Sequence, residues 1–176
     1  MKRSNIAVLL LLLTLAWAAV IFYFSSQPPQ ASYAQSTLAL RLFRRLDAFF
    51  DITDSPLYLL LEGRLRTLWF LEEAHSTTSA LRKSAHFGIY FILGILSCSF
   101  GYLYTRKLLV AFLLGCTLPV TVAVLDEYNQ SFVDRISSLG DVVIDGFGAL
   151  AGTLLTLTLI LLFRLVRWLW GSIRKT

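Results

Sequence analysis

The chain has 176 residues, of which 56% are hydrophobic and 15% are charged. A soluble domain typically carries about 45–50% apolar and about 25% charged residues, so this composition is that of a membrane protein. The length leaves no room for a separate soluble catalytic domain beside the apolar stretches, and we expect one domain over residues 1–176. The formal net charge of +5 does not indicate nucleic-acid binding, because the basic residues flank apolar stretches, where they orient a chain in the bilayer.

Four apolar runs are long enough to cross a bilayer as helices. The hydrocarbon core requires roughly 20 apolar residues in a helix, and backbone groups cannot remain unpaired in lipid. None of the runs shows the alternating pattern of a barrel strand. The sequence therefore predicts an all-α bundle of four transmembrane helices, at about residues 6–24, 87–104, 108–125 and 142–163.

The charges that flank these runs predict the orientation of the bundle. With the N-terminus in the cytoplasm, the cytoplasmic segments carry eight basic residues and no acidic residue, whereas the outer segments carry all eleven acidic residues. Cytoplasmic loops are enriched in Lys and Arg, so we expect both termini in the cytoplasm. A cleavable signal peptide ending near Ala16-Trp17-Ala18 is the alternative for the first run. The run continues to Phe24, however, which makes it longer than the about 7–15 residues of a signal core.

The long segment between the first and second runs carries two amphipathic stretches. Leucines recur there at helical spacing between residues 38 and 46 and again between residues 57 and 68. We predict two amphipathic helices on the outer surface between the first and second spans, in an insertion at about residues 33–75. Amphipathicity alone leaves open whether these helices lie on the bilayer or cover the bundle.

Polar residues near the spans are informative, because a charge at mid-helix costs about 2.5–3.5 kcal/mol by insertion scales. Nearly all of them lie at the predicted outer ends of the helices. Four carboxylates there face few cations, so pairing leaves at least one carboxylate to be matched by a proton, solvent, a ligand or a cation. A structural alternative is that these charges only hold the helices together. The candidate ligand-binding residues are Lys83, His86, Tyr90, Asp126, Glu127, Gln130, Arg135, Asp141 and Asp145.

Three of these residues are also candidate catalytic groups. A histidine beside carboxylates can carry protons near neutral pH, which directs attention to His86, Asp126 and Glu127. The chain contains no motif for an activated serine or cysteine nucleophile, no HExxH and no P-loop. The sequence therefore leaves open whether any reaction is catalysed.

The order of the polar residues resembles the VanZ-like family of bacterial membrane proteins. The shared pattern consists of Ser25-Ser26-Gln27-Pro28 followed by Ser32 and Ser36, then Lys83, His86 and Tyr90, then Asp126-Glu127 and Gln130, and then Arg135, Asp141, Gly148 and Gly152. The resemblance adds Ser26 and Gln27 to the candidate ligand-binding residues. The chain departs from the family at Asn129, where His is common, and at Val133-Asp134, where Pro-Gly usually precedes the arginine.

The resemblance implies a role in the bacterial envelope, because the founding member is associated with resistance to the glycopeptide teicoplanin. We expect a multipass protein of the bacterial cytoplasmic membrane whose outward-facing polar pocket binds an envelope lipid, glycolipid or lipoglycopeptide. The alternative is a membrane-embedded hydrolase or transferase that acts on a lipid-linked phosphate, with carboxylates that hold Mg²⁺. A proton-coupled carrier is disfavoured, because the sequence shows no polar path to the inner side. We assign no metal ligand, no cofactor, no nucleic-acid partner and no oligomeric state.

Overall fold

The structure is a computed structural model that describes residues 3–28, 77–133 and 138–173, together with isolated positions between 30 and 56. The helices are α1 (Arg3–Ser25), α2 (Thr77–Thr105), α3 (Leu108–Gln130) and α4 (Leu139–Ile173), with a short 3₁₀ turn at Ser131–Val133. All four α-helices are long and apolar enough to cross a membrane. The described residues contain no strand. The predicted all-α fold with four spans is confirmed, and it is the fold of a multipass membrane protein.

All four helices are longer than the spans predicted for them, and two of them extend ten residues further at one end. α2 begins at Thr77, ten residues before the predicted start, and α4 continues to Ile173, ten residues beyond the predicted end. Hydropathy detects only the part of a helix that is immersed in hydrocarbon, whereas backbone hydrogen bonding continues past it. The polar first turns of α2 and α4 are therefore helical. The predicted amphipathic insertion at about 33–75 lies largely outside the described residues, and the single domain over 1–176 stays a prediction.

The lateral surface of the bundle is apolar, while several polar side chains are buried inside the bundle. Leu12, Leu113 and Leu162 are about half exposed, whereas Thr14 and Thr153 are buried. The hydroxyl of Thr14 donates to the carbonyl oxygen of residue 10 in its own helix at 2.7 Å. This arrangement suits a lipid environment, because apolar side chains face the acyl chains and small polar residues let helices approach each other.

The first helix packs mainly on α2, and the two helices are antiparallel. Trp17 of α1 donates its ring N–H to the carbonyl oxygen of Ile89 at 3.0 Å. Near the other end of α2, Arg3 donates to the carbonyl oxygen of Leu103 at 2.6 and 2.8 Å. This guanidinium satisfies a carbonyl group in the last turn of α2, which has no partner within the helix. Every seventh residue of α1 is buried in the interface: Ala7, Thr14 and Ile21.

The second and fourth helices form the most extensive contact in the bundle. A Cβ atom at Gly148 would contact the carbonyl oxygen of Phe87, and one at Gly152 would contact that of Phe91. Both pairs are 61 positions apart in the sequence, so α2 and α4 run in the same direction. Glycine allows this close approach because it has no side chain to separate the backbones.

These directions bring four helix ends together. The last residue of α1, Ser25, bonds to the backbone of Asp126 near the end of α3, so these two helices are parallel. α2 and α4 start where α1 and α3 finish. We call this end, which carries the acidic residues 126, 127, 141 and 145, the polar end, and we call the opposite end, which carries Arg106, Arg164 and Arg167, the basic end.

Candidate functional site

Three helices contribute buried charged side chains to the polar end. α2 places residues spaced by three and four positions on one face, α3 contributes its last turn, and α4 contributes its first two turns. The structure therefore brings most of the sequence-predicted site residues to one end of the bundle. Those with less than a tenth of their surface exposed are Lys83, Tyr90, Asp126, Glu127, Gln130, Asp141 and Asp145.

His86 and Asp145 connect α2 to α4. The Nδ1 atom of His86 lies 3.2 Å from Oδ1 of Asp145, whose side chain is fully buried. Because an ionised carboxylate can only accept a hydrogen bond, this geometry places the proton of a neutral His86 on Nδ1 and leaves Nε2 as an acceptor. The contact offsets part of the cost of burying the Asp145 carboxylate.

Arg82 and Asp141 form a second connection between the same helices. Nη2 of Arg82 lies 3.5 Å from Oδ2 of Asp141, and the Arg82 side chain is 44% exposed. A pair this open to solvent contributes little to stability. Its consequence for the site is electrostatic, since it places one positive charge beside the buried carboxylates.

Glu127 connects α3 to the start of α4, and both of its carboxylate oxygens are occupied. Oε2 accepts a hydrogen bond from the backbone N–H of Ser138 at 2.7 Å, and Oε1 accepts one from Nε2 of Gln130 at 3.3 Å. The same Gln130 nitrogen donates to Oδ2 of Asp126 at 3.2 Å. Glu127 therefore holds the turn between α3 and α4, and within the described part of the chain the oxygen of this acidic pair that lacks a partner is Oδ1 of Asp126.

Ser25 and Asn129 join α1 to α3, and neither was among the predicted site residues. The buried Ser25 hydroxyl donates to the backbone carbonyl of Asp126 at 3.2 Å. Nδ2 of Asn129 donates to the hydroxyls of Ser25 at 3.3 Å and of Ser26 at 2.9 Å. The signal available in the sequence was the position of Asn129 one helical turn after Asp126, on the face that carries the acidic pair.

The predicted site residues at the end of α1 bond to their own helix. The hydroxyl of Ser26 donates to the carbonyl of Phe22 at 2.8 Å, and Nε2 of Gln27 donates to the carbonyl of Tyr23 at 3.4 Å. Ser26 also accepts the bond from Asn129, which attaches it to the edge of the polar cluster, whereas Gln27 has only the contact with its own helix among the described contacts. The predicted member Arg135 lies in residues 134–137, outside the described residues.

Three buried oxygens at the polar end have no hydrogen-bond partner among the described residues. They are the hydroxyl oxygen of Tyr90, Oδ1 of Asp126 and Oδ2 of Asp145, and the Tyr90 hydroxyl lies next to the Asp126 carboxylate without meeting hydrogen-bond geometry. In addition, His86, Asp126 and Asp145 each offer one metal-ligating atom within 4.8 Å of the other two. Chemically, the site offers carboxylate and hydroxyl oxygens to hydrogen-bond donors, or an imidazole and two carboxylates to a cation.

Comparison with known protein families gives a match over most of the chain. The family described as VanZ/LLP1 matches residues 10–164, a range that includes every described residue of the polar cluster. No curated protein matches the chain, and no solved structure matches it.

Proposed function

The chain belongs to the VanZ/LLP1 family, and we propose that its polar end binds the headgroup of an envelope lipid, glycolipid or lipoglycopeptide. The observation that carries this proposal is the group of three buried oxygens of Tyr90, Asp126 and Asp145 that lack partners among the described residues. Leaving one buried polar group unsatisfied costs about 1–3 kcal/mol. A headgroup that donates hydroxyl, amide or ammonium hydrogens to these oxygens offsets that cost.

The charge of the cluster supports a neutral or cationic headgroup. Among the described residues of the cluster, four carboxylates lie with three groups that can be positively charged, and one of these, His86, is charged only when protonated. A bare phosphate would be repelled by this excess of negative charge, whereas sugar hydroxyls and amines would be attracted. The charged groups are Asp126, Glu127, Asp141 and Asp145, with Arg82, Lys83 and His86.

The surroundings of the cluster support an amphiphilic ligand. Apolar side chains next to it are exposed on the surface of the bundle, including Phe87 at 37%, Val143 at 37% and Leu139 at 84%. An acyl chain can lie against them while its headgroup reaches the buried oxygens. In the predicted orientation this headgroup lies in the outer leaflet of the bacterial cytoplasmic membrane. Lipoglycopeptides combine an acyl chain with hydroxyl and amine groups, which is consistent with a role in teicoplanin-type resistance.

The test compares Asp126→Asn with Asp51→Asn, which makes the same change at an exposed position outside the cluster. Native mass spectrometry measures the lipid that co-purifies with each protein and the affinity for added teicoplanin. We expect the wild type and Asp51→Asn to retain the same ligand, and Asp126→Asn to bind it at least tenfold more weakly. Tyr90→Phe, which removes one hydroxyl and keeps the ring, should weaken binding in the same direction. Equal binding by all four proteins would contradict the proposal.

A second candidate function is metal-assisted hydrolysis or transfer on a lipid-linked phosphate. It is favoured by the ligand atoms of His86, Asp126 and Asp145, which lie within 4.8 Å of one another. One imidazole and two carboxylates suit Mn²⁺ or Zn²⁺, and carboxylates also bind Mg²⁺. A bound divalent cation would neutralise the excess negative charge of the cluster and so permit a phosphate to approach, while Glu127, which is outside this ligand set, would serve as acid or base.

Thermal unfolding with each cation separates this candidate from headgroup binding alone. Saturation at about 100 times Kd stabilises a folded protein by about 2.7 kcal/mol. If the site holds a metal, Mn²⁺ or Zn²⁺ raises the Tm of the wild type and of Asp51→Asn, but not that of Asp145→Asn. Release of phosphate from a lipid-linked diphosphate should then depend on the same cation. An identical response of all three proteins to the cation would remove the candidate.

A further inference from the structure

A groove of about 470 Å³ lies between α2 and α4 at the basic end, far along the bundle from the polar cluster. Its apolar part includes Ile95, Ile160 and Phe163, and its polar part includes Arg164 and Arg167. Pockets of about 300–1,000 Å³ are those that bury most of a small ligand. Phe163 is 67% exposed, so the groove opens toward the surface that faces lipid.

The groove is apolar toward the middle of the bundle and basic toward its end. Thr156 precedes Arg167 by eleven residues within α4, which is about 16 Å along the helix axis at 1.5 Å per residue. On the other wall, Arg106 directly follows the last residue of α2 and lies eleven positions after Ile95. The two walls therefore change from apolar to basic at the same depth.

The side chains along the contact between α2 and α4 explain why the groove opens at this end. Positions four residues apart on α4 are Gly148, Gly152, Thr156 and Ile160. The two glycines allow the backbones to touch, as described above. Thr156 and Ile160 carry branched side chains and line the groove, so the backbones cannot approach as closely there. The gap thus follows from the increase in side-chain size toward the basic end.

The arginines at this end have no acidic neighbours in the sequence. The chain contains no Asp or Glu between positions 74 and 125, and none after Asp145. Arg106, Arg164 and Arg167 are all exposed, and the guanidinium carbon of Arg106 lies 5.5 Å from the ring centroid of Tyr102. That contact is a cation–π interaction, which orients the side chain without neutralising its charge. The groove therefore offers three positive charges to an anion.

We propose that this groove binds one anionic phospholipid, with its phosphate between Arg106, Arg164 and Arg167 and an acyl chain along Ile160 and Phe163. Basic pockets between transmembrane helices on the cytoplasmic side are suited to anionic headgroups. A second copy of the chain inserted in the same orientation would bring the same arginines to the same depth, and like charges would repel. A soluble anion would leave the apolar wall uncovered. This site is separate from the polar end, and its test does not depend on the proposed function.

Native mass spectrometry of the full chain released from lipid nanodiscs tests the proposal. The nanodiscs contain equal amounts of dioleoyl phosphatidylglycerol and dioleoyl phosphatidylcholine, which share acyl chains and differ in net charge. We expect one retained phosphatidylglycerol per chain in the wild type. Near a membrane surface one Arg or Lys contributes a factor of about five in affinity for anionic lipid. Arg164→Gln should therefore lower retention about fivefold, and Arg164→Gln with Arg167→Gln about 25-fold.

The matched control is Lys107→Gln, because this exposed lysine follows Arg106 directly but does not line the groove. It should retain phosphatidylglycerol as the wild type does. Ile160→Trp fills the apolar part and leaves every charge in place, so it should also release the lipid. Inorganic phosphate should not raise the Tm of the wild type. Equal retention of both lipids, equal losses in Lys107→Gln and Arg164→Gln, or a dimer that excludes the lipid would each overturn the proposal.

Discussion

At the scale of single residues, adjacent carboxylates at the polar end have different surroundings. Glu127 uses both oxygens, one on the backbone N–H of Ser138 and one on Gln130, and so connects α3 to α4. Asp126 uses Oδ2 on Gln130, while its Oδ1 has no partner among the described residues. Two residues that look equivalent in the sequence therefore have different roles, one in holding the turn and the other in presenting an acceptor.

The first prediction concerns the stability of variants of these two residues. Glu127→Gln replaces one carboxylate oxygen by an NH₂ group. In either orientation of the amide, this group would face a hydrogen-bond donor, which is the backbone N–H of Ser138 or Nε2 of Gln130. The free energy of unfolding should therefore fall by about 1–3 kcal/mol. Asp126→Asn keeps an oxygen for Gln130 and removes a buried charge, so its stability should be unchanged or higher. Thermal unfolding in one detergent measures both. An equal loss of stability in the two variants would contradict the assignment of different roles.

At the scale of elements, the polar end depends on how closely α2 and α4 pack. A Cβ atom at Gly152 would collide with the carbonyl oxygen of Phe91, so the lack of a side chain at this position allows the two helices to approach this closely. The pairs His86–Asp145 and Arg82–Asp141 span the same two helices. The positions of the glycines in α4 therefore affect the site, although glycine has no side chain that could take part in it.

The second prediction is that Gly152→Ala destabilises the bundle and that Gly146→Ala does not. A Cβ at 152 collides with backbone of α2, and overpacking of this kind costs about 1–3 kcal/mol. A Cβ at 146 would lie 3.7 Å from a methyl group of Val120, which is an ordinary contact. Alanine is a better helix former than glycine by up to about 1 kcal/mol, so Gly146→Ala should be neutral or stabilising.

The readout for the glycine variants is twofold. The Tm reports the packing, and headgroup retention at the polar end reports the spacing of α2 and α4. We expect both to fall for Gly152→Ala and neither to fall for Gly146→Ala. If Gly152→Ala melted at or above the temperature of the wild type, the two helices would not be in the close contact that the structure shows.

At the scale of the whole molecule, the two ends of the bundle differ in charge. The four carboxylates that are buried among the described residues lie at the polar end, whereas Arg106, Arg164 and Arg167 lie at the basic end. This asymmetry predicts that the basic end faces the cytoplasm. The proposed headgroup site and the proposed phospholipid groove would then lie in opposite leaflets of one membrane.

The third prediction is the response of single cysteine substitutions to a membrane-impermeant thiol reagent in intact cells. Ser4→Cys and Thr176→Cys should be protected, because both termini are predicted to be cytoplasmic, and Thr53→Cys should be labelled. Cys98 and Cys116 lie within helices of the bundle, so the unsubstituted chain serves as the background. Labelling of Thr176→Cys with protection of Thr53→Cys would reverse the orientation and place the polar end in the cytoplasm.

The sequence by itself determined the number of spans and the end of the bundle at which polar groups collect. Hydropathy is a local property, so the spans can be found without any tertiary contact. Because consecutive spans alternate in direction, the regions around Tyr90, Asp126 and Asp145 then lie on one side of the membrane. The length of α4 could not be predicted from the sequence, because hydropathy identifies only the part of a helix that lies in the hydrocarbon core. It also missed Ser25 and Asn129, whose bonds join residues more than a hundred positions apart.

Only the tertiary structure decided which polar groups pair. Asp145 contacts His86, Asp141 contacts Arg82, and the oxygens left without described partners follow from those choices. Such pairings depend on the rotation of each helix about its axis and on the distance between helices. Rotation and distance are set by side-chain packing along the whole interface, including the glycines of α4, and spacing within one helix does not contain that information.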